Sequence, residues 1–118
     1  MDWKDEIEEN LKFGVIEIVI LKLLSHQDMY GYQIKQMIEE TSNQKIEIKM
    51  GSLYGPLYRM EKKKMISSRK ELVGEKRFRM YYHIENEGKT YLEYALKRFN
   101  EIYDCFVNIL NKENGEIQ

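Results

Sequence analysis

The stretch Lys49-Met-Gly-Ser-Leu-Tyr-Gly-Pro-Leu-Tyr-Arg-Met-Glu-Lys-Lys-Lys-Met-Ile66 holds the densest set of side chains suited to gripping an anionic partner. Ser52, Tyr54 and Tyr58 offer hydroxyls, and Lys49, Arg59, Lys62 and Lys63 offer fixed positive charge. Together these groups suit phosphates and base edges. Leu53, Leu57 and Met60 recur at spacings of four and three, so a helix here buries one stripe and frees the hydroxyls and cations. A helix about 10–12 Å across fits the DNA major groove, which is about 12 Å wide. Gly51 is read as a residue in an unusual backbone conformation, Ser52 as the N-cap and Pro56 as part of the first turn.

Charge distribution extends the pattern. The whole chain is nearly neutral, at −1, yet residues 45–83 hold eleven Lys and Arg against four Asp and Glu. The acidic excess sits elsewhere, with Asp2, Asp5, Glu6, Glu8 and Glu9 at the front. A partner responds to that local field more than to the total charge.

Enzymatic chemistry finds no foothold. The sequence has no Gly-rich phosphate loop, no Cys or His cluster and no nucleophile beside a base, so no catalytic residue, metal or cofactor is expected. The single cysteine, Cys105, excludes an internal disulfide, and the acidic amino terminus is unlike a secretory signal. The run from Val15 to Leu24 is too short and too charged to span a bilayer. A cytoplasmic protein without a membrane contact is expected.

The elements that must position the basic helix read as follows. A first helix is expected from Asp5 to Leu24, densely apolar in its second half. Ser25 to Asp28 form a turn, with surface-exposed His26, and Asp28 caps a second helix reaching Thr41. Ile46 and Ile48 alternate as a short strand before the basic helix. Met65–Leu72 and Lys76–Ile84 then flank Gly74 as a hairpin, with Phe78, Met80, Tyr82 and Ile84 on its apolar face, which is expected to pack on the helices because an isolated hairpin is marginal in water. Arg77, Arg79, Tyr81 and His83 take the other face. A terminal helix from an Asn86 cap to Leu110 carries two rows, Leu92, Phe99 and Phe106 beside Ala95, Ile102 and Ile109. Leu96, Tyr103 and Leu110 widen that seam, which is more apolar than one small domain can cover and implies self-association. The tail from Asn111 to Gln118 is polar and expected to fray.

The fold class is therefore mainly α with a small β-hairpin: a winged helix-turn-helix over residues 1–85 and a C-terminal dimerisation helix with its tail over 86–118. Two other functions share that architecture, a protein–protein adaptor and an architectural DNA binder without sequence preference.

Three segments resemble the PadR family of bacterial transcriptional regulators. They are Leu21–Leu24 with Met29-Tyr-Gly-Tyr-Gln-Ile-Lys35, Gly51-Ser-Leu-Tyr54 with Leu57-Tyr-Arg-Met-Glu61, and Arg79-Met-Tyr-Tyr-His-Ile84 with Glu87-Gly-Lys89. The resemblance spans about residues 13–110, and the single terminal helix is similar to the family's smaller subgroup. Three positions depart from the family pattern: Met50 and Gly55 stand where proline is usual, and Glu85 where threonine commonly caps the last helix.

What the resemblance implies is a homodimer, mostly a repressor, on an inverted-repeat operator in double-stranded DNA. Ser52, Leu53 and Tyr54 at the helix opening are expected at the major groove, with Leu53 turned to the core; Tyr58 is expected among the DNA-binding residues, Tyr32 and Lys35 at the backbone, and Lys49 and Lys62 beside it. Arg69, Lys70, Lys76, Arg77 and Arg79 on the hairpin are expected to meet phosphate or the minor groove. It also implies release by a flat aromatic effector held between terminal helices, with Phe13, Phe99, Tyr103 and Phe106 lining the space and Trp3 covering it.

Overall fold

The computed structural model describes residues 2–113, and part of the expected frayed tail, from 114 onward, lies outside them. Its elements in order are α1 (Trp3–Phe13), α2 (Ile16–Leu24), β1 (Met29–Tyr30), α3 (Gly31–Thr41), α4 (Met50–Lys62), β2 (Ile66–Val73), β3 (Arg77–Ile84) and α5 (Asn86–Leu110). One core holds them. Ile20, Leu21 and Leu24 of α2 meet Ile34 of α3, Leu53, Leu57 and Met60 of α4, and Met29, Ile66 and Ile84 of the sheet, all buried. The strands run antiparallel in the order β1-β3-β2. This is the expected winged helix-turn-helix with a long terminal helix.

Several boundaries differ from expectation, each for a local reason. The single first helix is two, broken at Gly14 and Val15, and Val15 supplies no side-chain cap. No residue of α1 is buried, whereas α2 is central to the core, so burial divides them where glycine weakens the helix. The short strand at Ile46 and Ile48 is absent. Asn43 and Gln44 have φ of 53° and 64°, left-handed values incompatible with a strand, and the segment is instead a tight exit from α3. There the Ser42 hydroxyl accepts from the Ile46 amide at 3.1 Å, and the Glu39 carboxylate accepts from the Ile48 amide at 3.3 Å. The third strand comes from Met29 and Tyr30, which pair with Tyr82 and Tyr81.

Capping differs as well. α4 begins after Lys49, so Gly51 and Ser52 lie inside it and Ser52 is no N-cap. Pro56 lies beyond the first turn and buried; it joins Leu53, Leu57 and Met60 on the core side and withholds a donor from the Ser52 carbonyl. The α4 exit is a Schellman turn with Lys64 at φ 62°, the Lys64 and Met65 amides reaching back to the Glu61 and Met60 carbonyls at 2.9 Å. α5 begins after Glu85, not Asn86. The Glu85 carboxylate does not cap its own helix and accepts from the Ser67 hydroxyl at 2.6 Å, which ties the helix start to β2.

Asp28 does not cap α3 either. Its carboxylate spans the sheet edge, with Oδ1 at 2.7 Å from His83 Nδ1 and Oδ2 accepting from Arg69 at 2.5 Å. Partial burial works to raise the Asp28 pKa, but the hydrogen bonds from His83 and Arg69 and their charge outweigh it and hold it below the ordinary range. Arg69 also bonds Glu71 at 2.8 Å and lies over the Tyr81 ring.

Two predictions follow from this packing. A Cβ on Gly88 would stand 2.3 Å from the Met65 carbonyl oxygen and 2.9 Å from Ile84, whereas one on Gly14 meets nothing closer than 3.7 Å. Gly88→Ala should therefore destabilise by about 2 kcal/mol or more and lower Tm by roughly 5–10 °C, with Gly14→Ala neutral or stabilising. Equal melting curves would contradict this docking of α5. Asp28→Asn should lose about 1 kcal/mol at pH 7 in urea unfolding. Because the folded-state pKa is depressed, that deficit is present above the unfolded value of about 3.9 and vanishes as pH falls through the lower folded one. A deficit unchanged at pH 3 would show that Asp28 acts by shape alone.

Candidate nucleic-acid interface

Burial of one stripe turns the rest of α4 outward. Gly51, Ser52, Tyr54, Gly55, Tyr58 and Lys62 are exposed along it, Tyr54 at 55% and Tyr58 at 62%. The glycines and Ser52 leave low ground on which a partner can approach the helix backbone, while the two tyrosines stand proud. Lys62 lies over the Tyr58 ring at 5.6 Å, which holds both on the same side. Arg59 belongs to the scaffold. It reaches Glu17 on α2 at 3.3 Å and stacks on Phe13 at 5.5 Å, fixing α4 against the first two helices.

The expected contact residues divide by how their charges are engaged. Among the described residues Lys49, Lys62, Lys70, Lys76 and Arg77 are exposed and form no ion pair with them. Arg79 is exposed and lies 4.3 Å over the Tyr30 ring, an arrangement that aims it without neutralising it. Arg69 is held by Glu71 and Asp28, which raise its pKa in that order. Lys35 is bound to Glu39 at 2.6 Å, a pairing that lowers the Glu39 pKa together with the Ile48 amide. Tyr32 is 52% exposed near the start of α3. The candidates left exposed are thus the α4 face and the outer cations of the β2–β3 hairpin, whereas Arg69 and Lys35 are engaged inside the protein.

Sequence reasoning passed over two groups. Lys63, counted for its charge but assigned no contact, and Lys64 are exposed where α4 ends, and the run Lys62-Lys63-Lys64 was the available signal. Tyr30 and Tyr81 meet edge to face at 5.4 Å under Arg79 and Arg69, and no local signal could place residues so distant in the chain side by side.

The terminal helix is divided along its length. Leu92, expected on the association seam, is instead in the chain's own core, and Ala95 and Leu96 are half-buried. Beyond them Phe99, Ile102, Tyr103, Phe106, Ile109 and Leu110 are all exposed, Leu110 at 80%. Phe99 and Tyr103 stack at 6.1 Å. On α1, Trp3, Ile7 and Leu11 form a second exposed row.

The aromatic residues expected around an effector are not assembled within one chain. An apolar groove of about 630 Å³ between α1, α2, α3 and α5 takes in Leu11, Val19, Leu23, Met37 and Phe99. A polar cleft of about 430 Å³ near the start of α4 takes in Phe13, with Lys35, Lys49 and Ser52. Trp3, Tyr103 and Phe106 line neither. Among the described residues no group of His, Cys, Asp and Glu could hold a metal ion, and no helix is long and apolar enough to cross a membrane.

The fold has counterparts among known proteins. The sequence profile of the Transcriptional regulator PadR-like family matches residues 20–94. An uncharacterized protein from Lysinibacillus sphaericus is 36% identical over 97 residues, covering 80% of this chain and 89% of that one. A solved transcriptional regulator from Clostridium thermocellum is 30% identical, with a TM-score of 0.79 over 87% of this chain and 99% of its own. A PadR-like regulator from Bacillus cereus is 28% identical, with a TM-score of 0.74 over 88% of this chain and 99% of its own. Bacillus subtilis PadR, solved in complex with operator DNA, is 27% identical with a TM-score of 0.65, over 70% of this chain and 46% of that one. The profile covers well over half of the sequence and the fold agrees with it, so the chain belongs to the PadR-like family of transcriptional regulators, which bind DNA.

Proposed function

We propose that the chain is a sequence-specific repressor that binds an inverted-repeat operator as a homodimer and is released by a small aromatic effector. The observation that carries this reading is the segregation on α4. Leu53, Pro56, Leu57 and Met60 are buried and Ser52, Tyr54, Tyr58 and Lys62 face out, while Lys70, Lys76 and Arg77 on the hairpin are exposed and form no ion pair among the described residues. A helix so held can enter the major groove while Lys70, Lys76, Arg77 and Arg79 track the neighbouring backbone.

Homodimerisation is supported by the outer half of α5. An uncovered row from Phe99 to Leu110 is far more apolar than an isolated surface helix needs, and a second copy can cover it by the same row. Twofold symmetry would then set two α4 helices along one duplex. The effector part rests on the aromatic content of that same region. Phe99 and Tyr103 from two copies, with Phe13 and Trp3 of α1, would supply a planar site that one chain lacks.

The test is selection from random duplex DNA, followed by salt titration on the recovered fragment. The expected product is an inverted repeat with half-sites about one helical turn apart, or a multiple of it, bound roughly 10³-fold or more above competitor DNA. Affinity should fall with salt at a log–log slope near −0.9 per phosphate contact, and Lys76→Ala with Arg77→Ala should flatten it by up to about two units per protomer. A pool without sequence preference would overturn the regulator reading, and an unchanged slope would remove the hairpin from the interface.

A further inference from the structure

The hairpin holds a feature that the cations do not explain. Leu72 and Phe78 stand directly opposite one another across β2 and β3, one step from the turn at Gly74, and are 57% and 66% exposed. Met80, paired with Lys70 on the same face, is 37% exposed. The sequence pattern expected this face to pack on helices. It does so only at the base, where Ile66 and Ile84 are buried and the Ser68 hydroxyl donates to Glu61 of α4. Leu72 lies four residues beyond Ser68, about 13 Å along the strand, and so overhangs the core on the side where α4 lies.

A single exposed Leu or Phe needs no explanation. A cross-strand apolar pair at the end of a projecting hairpin is different, because it covers no core and risks association through the edge. Cations outnumber carboxylates around it: Lys70 lies on its own face, Lys76 next to Glu75 in the turn, and Arg77 on the opposite face opposite Val73, while the neighbouring Glu71 is engaged by Arg69. An apolar tip bracketed by positive charge is complementary to one surface above others, the minor groove of duplex DNA. Its two phosphate walls accept the cations, and its floor exposes stacked base edges and sugars.

We infer that Leu72 and Phe78 form a wedge that enters the minor groove beside the α4 contact and partly opens a base step, bending the duplex. The inference rests on the DNA-binding reading above and adds a specificity element to it. Opening a step is least costly at the flexible pyrimidine–purine steps TA and CA/TG, so the tip selects sequence by deformability without a hydrogen bond to a base. The cations fix where the wedge stands, and the apolar pair decides what happens there.

The experiment uses the full-length protein and the operator recovered by selection, with 2-aminopurine placed in turn at each flanking step and with a donor–acceptor pair on the duplex ends. Binding of the natural chain should raise 2-aminopurine fluorescence at one TA or CA/TG step per half-site. The ends should draw together by a kink of about 20–90°. A variant with Leu72→Thr and Phe78→Thr keeps strand-forming residues and every cation. It should bind with the same salt slope, lose the fluorescence rise and the bend, and show no preference for the flexible step. Operator bound by the natural chain with no unstacked step overturns the wedge and leaves the regulator reading intact, and so does a bend that persists in the variant. Absence of binding to any duplex overturns both.

Discussion

A helix can give only one of its sides to the core, and everything on the surface of this protein depends on which side α4 gives. Leu53, Pro56, Leu57 and Met60 occupy i, i+3, i+4 and i+7, and all four are buried. Full burial of side chains this size stabilises by about 1.5–3 kcal/mol each, so rotating α4 to bury its tyrosines would forfeit most of that and strand polar atoms. Arg59, tied to Glu17 and stacked on Phe13, fixes the same rotation from the flank. The outward set from Ser52 to Lys62 is thus a consequence of core packing. Pro56 contributes twice, as a buried apolar group and as a residue whose missing amide loosens the early turns around Ser52.

The hairpin is pinned to that frame from two directions. Strand β1 contributes only Met29 and Tyr30, but it closes the sheet edge and brings Asp28 within reach of Arg69 and His83. On the other face, Ser68 reaches Glu61 of α4, and Tyr82 lies where burial, then the charges of Glu61 and Tyr54, push its pKa upward. Both anchors lie near the base of the hairpin. Its outer residues, among them Leu72, Lys76, Arg77 and Phe78, have exposed side chains. The base sets direction and the tip is left free to meet a partner.

Much of this was legible in the sequence, because the governing signals are periodic and local. The stripe of Leu53, Leu57 and Met60 has helical spacing, the β3 alternation has a period of two, and Gly74 marks the turn at φ 75°. What was not legible came from contacts between distant residues. Asp28 looks like a cap until the sheet brings His83 and Arg69 to it, and Glu85 is diverted from its helix by Ser67. Ile48 is buried without belonging to a strand, since two left-handed residues before it turn the chain. The hairpin's apolar face followed the alternation correctly, yet length carried Phe78 past the core it was expected to join. Periodicity gives the face a residue occupies and says nothing of whether a neighbour stands there.

The apolar rows on α1 and the outer half of α5 are exposed in a single chain, and in the homodimer proposed above a second copy would cover them by symmetry. Whatever the geometry of that pairing, its use depends on α4 meeting DNA with the side the core leaves free. Replacing Tyr54 and Tyr58 together with alanine tests this most directly, by fluorescence-anisotropy titration of a selected operator at fixed salt. Affinity should fall tenfold or more, as for the loss of about 1–3 kcal/mol per base contact, with melting temperature and helix content unchanged. An unaltered affinity in a folded double variant would contradict it.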